Sequence, residues 1–158
     1  MLFTNNYVWL APLAISLLNG IIIRKSSQSQ ILLNPKSEEG FKKILFFVIV
    51  YANIPWVIMG IGNVLELSNN GDYIKIDLGN PFVLTFYLSI LILLGFMIRW
   101  IYFKNGAEFI QEHPMRSGLF DSGDLVRLNA RQIKVGFGFV LVAALSSIIF
   151  LWIRNKSR

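Results

Sequence analysis

Residues Gly79 to Pro114 read GNPFVLTFYLSILILLGFMIRWIYFKNGAEFIQEHP, and this stretch decides the fold class. From Pro81 the chain stays apolar as far as Phe103. That length is close to the ~20 residues that cross ~30 Å of hydrocarbon at about 1.5 Å per residue. Because Asn80 can cap a helix whose first residue is proline, the pattern predicts a membrane-spanning helix that begins at Pro81.

The rest of the chain shares this apolar character. Of its 158 residues 54% are hydrophobic, and the mean hydropathy is +0.57. These values exceed those of an ordinary soluble domain. Four apolar runs of near-spanning length account for the excess, at approximately residues 7–23, 43–65, 81–103 and 135–153. The sequence therefore predicts a single all-α domain over residues 1–158, built as an integral membrane four-helix bundle.

Residues 104–134, between the third and fourth spans, are the longest polar segment and predict a cytoplasmic cap. In Ala107–His113 the apolar pair Phe109 and Ile110 lies between two glutamates. This pattern predicts a short amphipathic helix at the membrane surface, with a solvated turn as the alternative. A second amphipathic stretch begins near Asp124 and is predicted to run directly into the fourth span. The cap offers a docking surface for a partner.

Local signals predict further details of the connections. Residues 26–43 are interpreted as a polar loop, with Ser37 as the N-cap of the second spanning helix. Pro55 lies inside that helix and should kink it, freeing a backbone carbonyl one turn earlier, near Tyr51, for a neighbouring helix to satisfy. In the second loop Tyr73–Asp77 alternates between apolar and polar residues, which favours a short strand or hairpin arm.

The distribution of basic residues predicts the orientation. The first apolar run is followed, not preceded, by Arg24-Lys25, so we interpret it as a retained helix and not as a cleaved signal peptide. With the amino terminus outside, eleven basic side chains fall on the cytoplasmic side and four on the other. The positive-inside bias then favours both termini on the non-cytoplasmic side of the cell (inner) membrane. The basic tail Arg154–Arg158 is evidence against this orientation.

Charge and composition also exclude several functions. The net charge of +6 comes from residues that flank apolar runs, where anionic lipid headgroups explain it without nucleic acid. The chain has no cysteine and one histidine. Thiolate chemistry is therefore excluded, and a multi-histidine metal or haem site would need ligands from another protein, so no cofactor is expected. No Asp or Glu lies within the body of a span, which argues against an ion-coupled transporter acting alone.

Polar side chains inside the spans are the candidate functional residues. They are Asn53, beside the proline Pro55, then Asn63, Thr85 and Ser89. Several stand near small residues, a pattern typical of helix packing, in which amide and hydroxyl groups bond across helices. The alternative is a polar cavity or pore lining centred on Asn53.

Arg99 is the charged residue that lies furthest inside an apolar run. One interpretation is that its guanidinium reaches the headgroup region. The other is that it binds an anion, a lipid phosphate or a carboxylate of a partner. Thr85, Ser89 and Arg99 share one stripe of the third span, which we expect to be buried.

No catalytic set can be assembled from these residues. His113 has no nucleophile or metal ligand beside it in the sequence, and we expect it to face solvent or the headgroups. The sequence therefore predicts a non-enzymatic membrane protein that acts by association with other membrane chains, as an oligomer or as an accessory subunit. The alternative is a small oligomeric pore or a membrane-disrupting effector.

Overall fold

The computed structural model describes residues 7–113 and 128–156, and in these ranges it contains helices and turns but no strand. The α-helices, in chain order, are α1 (Leu10–Leu33), α2 (Glu38–Ile49), α3 (Ile54–Val64), α4 (Asn70–Lys75), α5 (Pro81–Ile98), α6 (Gly106–Glu112) and α7 (Ala130–Lys156). Short 3₁₀ turns, Pro35–Ser37 and Tyr51–Asn53, stand on either side of α2, and a π-helical turn, Arg99–Phe103, extends α5.

Three helical segments of the described part of the chain are long and apolar enough to cross a membrane. They are Pro35–Val64, Pro81–Phe103 and Ala130–Arg154, which correspond to the second, third and fourth predicted spans. The first predicted span, residues 7–23, lies mostly within α1, which continues for ten further residues. The predicted all-helical class is therefore confirmed, together with three helices of spanning length.

The helix is interrupted just before Pro55, where the sequence predicted a kink in one continuous helix. Helix α2 ends at Ile49, the 3₁₀ turn follows, and α3 starts with Pro55 in its first turn. Proline has no N–H to donate and its ring collides with the carbonyl four residues earlier, so a continuous α-helix cannot pass this position. The chain resumes the same general direction, and α2 and α3 together make one broken helix.

Helix α1 lies antiparallel along this broken helix. Gly20 faces Ile49, and a Cβ on Gly20 would stand 2.7 Å from the Cγ1 atom of Ile49. Trp9 precedes Gly20 by eleven residues, and Gly60 follows Ile49 by eleven. These two residues also face each other, and a Cβ on Gly60 would stand 2.6 Å from the indole ring of Trp9. Glycine at both contacts lets the helices approach closely, as small residues do between membrane helices.

Helix α5 packs on α3 on another side. The buried side chains of this contact are Met59, Tyr73, Val83 and Phe86. The predicted cap is present, because Asn80 Oδ1 accepts a hydrogen bond from the backbone N–H of Phe82 at 3.0 Å. Asparagine at this position satisfies one of the N–H groups that a helix start leaves without a partner.

Helix α7 contacts α6 near its beginning, at Ala130 and Lys134, and it also contacts α4. Helix α5 joins α4 to α6, so these two short helices lie at opposite ends of α5. The helix predicted over Ala107–His113 is present as α6, and its place at the membrane surface stays a prediction. The predicted amphipathic start of the fourth span is present from Ala130, whereas residues 124–127 lie outside the described residues.

The prediction that residues 26–43 form a polar loop was wrong. Helix α1 remains helical to Leu33, and α2 begins at Glu38, so the connection is reduced to the turn at Pro35–Ser37. Ser37 does not cap α2, because its hydroxyl donates to the carbonyl of Asn34 at 2.7 Å. The sequence pattern failed here because Gln and Ser are tolerated in a helix when neighbouring residues pack.

The strand predicted at Tyr73–Asp77 was also wrong. The backbone there forms α4, which starts with a reciprocal capping box in which Asn69 and Asp72 each bond the other's backbone N–H. Two caps satisfied at once stabilise the first turn of a helix. Helix α4 ends at Lys75, and the next residue, Ile76, has a left-handed φ of 53°.

Candidate functional site

The first predicted polar residue, Asn53, lies at the break between α2 and α3. Its Nδ2 group donates to the carbonyl of Ile49 at 2.7 Å and to Ser16 Oγ on α1 at 3.0 Å. Ser16 in turn donates to the carbonyl of Val48 at 2.7 Å. The carbonyls exposed by the break are thus satisfied by side chains, one of them from the neighbouring helix, as the sequence predicted.

This network is enclosed within the chain. Asn53 is 6% exposed, and its Oδ1 atom is buried with no hydrogen-bond partner. Pro55 is also buried. The Asn53 amide donates to two acceptors, one on each of the two helices that enclose it, and so joins these helices. The geometry of the single chain does not present Asn53 to an open channel.

A second polar cluster lies at the other end of α3, under α4. Asn63 Nδ2 donates to Asn70 Oδ1 at 2.9 Å, and Ser68 Oγ donates to Asn63 Oδ1 at 3.3 Å. The Ser68 hydroxyl also lies 3.0 Å from the hydroxyl of Tyr73. Burial, above all other causes, raises the pKa of the Tyr73 phenol. Asn63 therefore fastens the α4 turn onto the end of α3, a role that its sequence context did not reveal.

Thr85 and Ser89 do not point into the chain. Thr85 is exposed and donates to the carbonyl of Pro81, while Ser89 is half-buried and donates to the carbonyl of Phe86. The face of α5 that is buried against α3 carries Val83 and Phe86 instead. The prediction that the Thr85–Ser89–Arg99 stripe is buried within the chain was wrong, and its contact with a partner stays a prediction.

Arg99 is exposed and lies where α5 passes into the π-helical turn. Three residues earlier on the same side of α5, the ring of Phe96 stacks on Tyr51 with centroids 6.2 Å apart. Arg99 is therefore close to the seam between α5 and the broken helix, at the end of the seam nearest α6.

Helices α6 and α7 are joined by a set of contacts that the sequence analysis missed. Lys134 Nζ lies 2.6 Å from Glu108 Oε1, and the side chain of Gln111 accepts from the backbone N–H of Ala130 at 2.6 Å. Tyr102 completes the set by donating to the carbonyl of Lys134. The hydrogen bond from Lys134 is the main cause that lowers the pKa of the Glu108 carboxyl.

Helix α6 also lies flat on the start of α2. A Cβ on Gly40 would collide with the Phe109 ring, and Phe109 meets Phe41 edge-on at 5.4 Å. His113 stacks on Phe109 with centroids 4.5 Å apart, so it is only partly open to its surroundings. The single histidine is a packing residue of this end of the molecule.

Within residues 7–113 and 128–156 no group of three or more His, Cys, Asp or Glu side chains could hold a metal ion. Comparison of the chain with family models, with curated proteins and with solved structures finds no match. Three of the polar sets described above join one helix to another: Asn53 with Ser16, Asn63 with Asn70, and Lys134 with Glu108.

Proposed function

We propose that this protein is an integral membrane protein of four spans that acts by association within the bilayer, as an oligomer or as an accessory subunit of a larger membrane complex. The observation that carries the proposal is the outward surface of α7. None of the residues in its most apolar stretch is buried by the rest of the chain.

Small residues interrupt that outward surface of α7. Ala143 and Ser147 are exposed and lie one turn apart. The Ser147 hydroxyl donates a hydrogen bond to the carbonyl of Ala143 at 2.8 Å. A Cβ on Gly136, on the same helix, would meet nothing within 4 Å. Small residues on an open face allow a second helix to approach closely, which supports association through α7.

The proposed orientation keeps both termini on the non-cytoplasmic side of the cell (inner) membrane, with α6 at the cytoplasmic face. Proposed partners are lipid, anionic headgroups and other membrane chains. Because the chain has no cysteine, single cysteines at Lys36 and Lys75 can be labelled in sealed vesicles without background. Both side chains are exposed, at opposite ends of the helices. Labelling of Lys75→Cys and not Lys36→Cys from the periplasmic side is expected, and the reverse result contradicts the orientation.

The association itself is tested by mass. Solubilised gently, the wild-type chain should run at the mass of a multimer or carry a co-purifying chain. Ala143→Leu should reduce that mass, because a large side chain prevents close approach, whereas the matched control Val142→Leu on a neighbouring exposed position should not. A monomer that retains no other chain would refute the proposal.

The pore alternative rests on the polar break around Asn53. Since Asn53 is 6% exposed within one chain, a pore lined by this residue requires α1 to separate from the broken helix. Dye leakage from liposomes that rises with protein load, and that Asn53→Leu suppresses, would favour the pore; tight liposomes at high load would exclude it.

A further inference from the structure

Asn19 is a polar side chain placed well inside the first apolar run. It lies four residues from Ile15, the middle of the run over residues 7–23, which is about 6 Å along the helix axis. Half of the hydrocarbon layer of a bilayer is about 15 Å thick. With α1 across the bilayer, as proposed, the Asn19 amide therefore lies within hydrocarbon, and its short side chain does not reach the headgroups.

The amide of Asn19 has no partner within its own chain. In the part of the chain that the structure describes, no hydrogen bond, ion pair or ring contact involves this side chain. The buried acceptor at the break, Asn53 Oδ1, is itself without a partner, so Asn19 does not donate to it. Thr85 and Ser147 differ, because each donates to a carbonyl of its own helix. An unbonded amide is costly in lipid, where no water replaces the missing partner.

The position of Asn19 on α1 leaves it open to another helix. Asn19 is half-buried and lies about 60° round the helix from Ser16, whose hydroxyl bonds the broken helix. Ile15 and Ile22 lie about 40° and 60° further round in the same direction, and Ile15 is 50% exposed. A neighbouring helix that packs on these two isoleucines can therefore also reach the Asn19 amide.

We propose that Asn19 pairs with the same residue of a second copy of this chain, across a two-fold axis along the membrane normal, with Ile15 and Ile22 packed beside the pair. An amide carries both donors and an acceptor, so two amides bond each other reciprocally. A two-fold contact brings the same surface of both copies together and so needs a self-complementary group. Two copies inserted in the same orientation hold Asn19 at the same depth, whereas a different chain would have to supply a polar group at that depth.

This pairing rests on the proposed function, since it names a second copy as the partner and α1 as a contacting helix. Association through α7 uses a different helix, so the two contacts can be disrupted separately. Two hydrogen bonds of the average strength found between membrane helices correspond to roughly a tenfold change in the dissociation constant of the dimer.

Disulfide cross-linking in liposomes tests the contact, because the chain has no cysteine of its own. Ile15→Cys keeps the amide and places a thiol at the proposed contact. Leu17→Cys is the matched control, because Leu17 is also 50% exposed but lies on the opposite side of α1, about 160° from Ile15. On mild oxidation, Ile15→Cys should form a covalent dimer and Leu17→Cys should remain uncross-linked.

The amide is then tested in the Ile15→Cys chain by following the cross-linked fraction against the protein-to-lipid ratio. Asn19→Leu should raise the dissociation constant roughly tenfold. Asn19→Gln retains an amide and should restore most of the association. Thr85→Val removes a polar group that is already bonded to its own helix, and it should leave the dissociation constant unchanged.

Three results overturn the pairing. Equal cross-linking of Ile15→Cys and Leu17→Cys would mean random collision, and an unchanged dissociation constant in Asn19→Leu would mean that the amide does not join the copies. A free energy of unfolding that Asn19→Leu lowers equally at every protein-to-lipid ratio would mean that the amide bonds within its own chain. In each case a multimer that Ala143→Leu disperses still supports the proposed function, whereas a wild-type chain that stays monomeric and retains no other chain refutes both.

Discussion

Replacing Asn53 with alanine tests whether α1 is held to the broken helix by the polar network at the break. The change removes the bonds of Nδ2 to Ser16 Oγ, at 3.0 Å, and to the carbonyl of Ile49, at 2.7 Å. It also removes the buried Oδ1 atom, which has no partner. The first effect destabilises the chain, and the second offsets part of the loss because an unsatisfied buried acceptor is itself costly.

The magnitude follows from hydrogen bonds between membrane helices, which average about 0.6 kcal/mol and reach about 1.7 kcal/mol. Asn53→Ala loses two hydrogen bonds and leaves a small cavity, and it also removes the unfavourable burial of Oδ1. The free energy of unfolding should therefore fall by roughly 1–2 kcal/mol. Ser16→Ala should lose about 1 kcal/mol. Because the two side chains share a bond, the double variant should lose less than the sum, by about 0.6 kcal/mol.

The measurement is reversible unfolding in mixed micelles of a mild detergent and dodecyl sulfate, with the four chains of the double-mutant cycle compared. Ser147→Ala is the matched control, because that exposed hydroxyl bonds only its own helix at Ala143. It should change the free energy of unfolding by less than about 0.5 kcal/mol. Strictly additive effects of Ser16→Ala and Asn53→Ala on the free energy of unfolding would refute the claim that the two side chains are energetically coupled.

Three other outcomes can be measured on the same chain. Gly60→Val should destabilise the fold by about 1–3 kcal/mol, because a Cβ on Gly60 would lie 2.6 Å from Trp9. Gly136→Ala should stabilise the fold by up to about 1 kcal/mol, because Gly136 has open space around it. The free energies of unfolding of both variants can be measured in mixed micelles. Asn80→Ala should cost about 1 kcal/mol in the same assay, since it removes the cap of α5. The pKa of Glu108 is lowered, so its stabilising contribution is full above its unfolded pKa and is lost as pH falls through the folded pKa. The protection factors of the α6 amides, which are corrected for the intrinsic pH dependence of exchange, should therefore fall on acidification, and Glu108→Gln should remove that fall.

The features that the sequence predicted correctly are those governed by local chemistry. Asn80-Pro81 starts α5 because a cap and a proline act within one turn of the chain. Pro55 breaks the second span because its ring collides with its own helix. Both effects act within the helix itself and do not depend on the residues of neighbouring helices. The identity of one or two residues was therefore sufficient to predict them.

The features that it missed depend on contacts between distant residues. Apolar residues lie on every side of α5 and its few polar residues suggested the wrong buried face, so periodicity could not show that Val83 is buried while Thr85 is exposed. The bond between Lys134 and Glu108 joins residues 26 positions apart, on different helices. Asn63 appeared as one more polar residue in a span, and only the fold brings it to Asn70. Of the polar residues singled out in the spans, Asn53 and Asn63 are buried and Thr85 and Arg99 are exposed, and the sequence named the partner of none of them.

The alignment of α1 with the broken helix bears on the fourth proposed span. Alone, α1 is less apolar than the other three long segments, because Arg24 begins a polar third of the helix. Yet Trp9 faces Gly60 and Gly20 faces Ile49, so the apolar part of α1 lies beside the apolar part of the broken helix. If Pro35–Val64 crosses the bilayer, as proposed, the part of α1 between these two contacts lies beside its apolar section and is proposed to cross with it. The polar end of α1 then stands beside the charged start of α2, outside the hydrocarbon, which supports four spans over three.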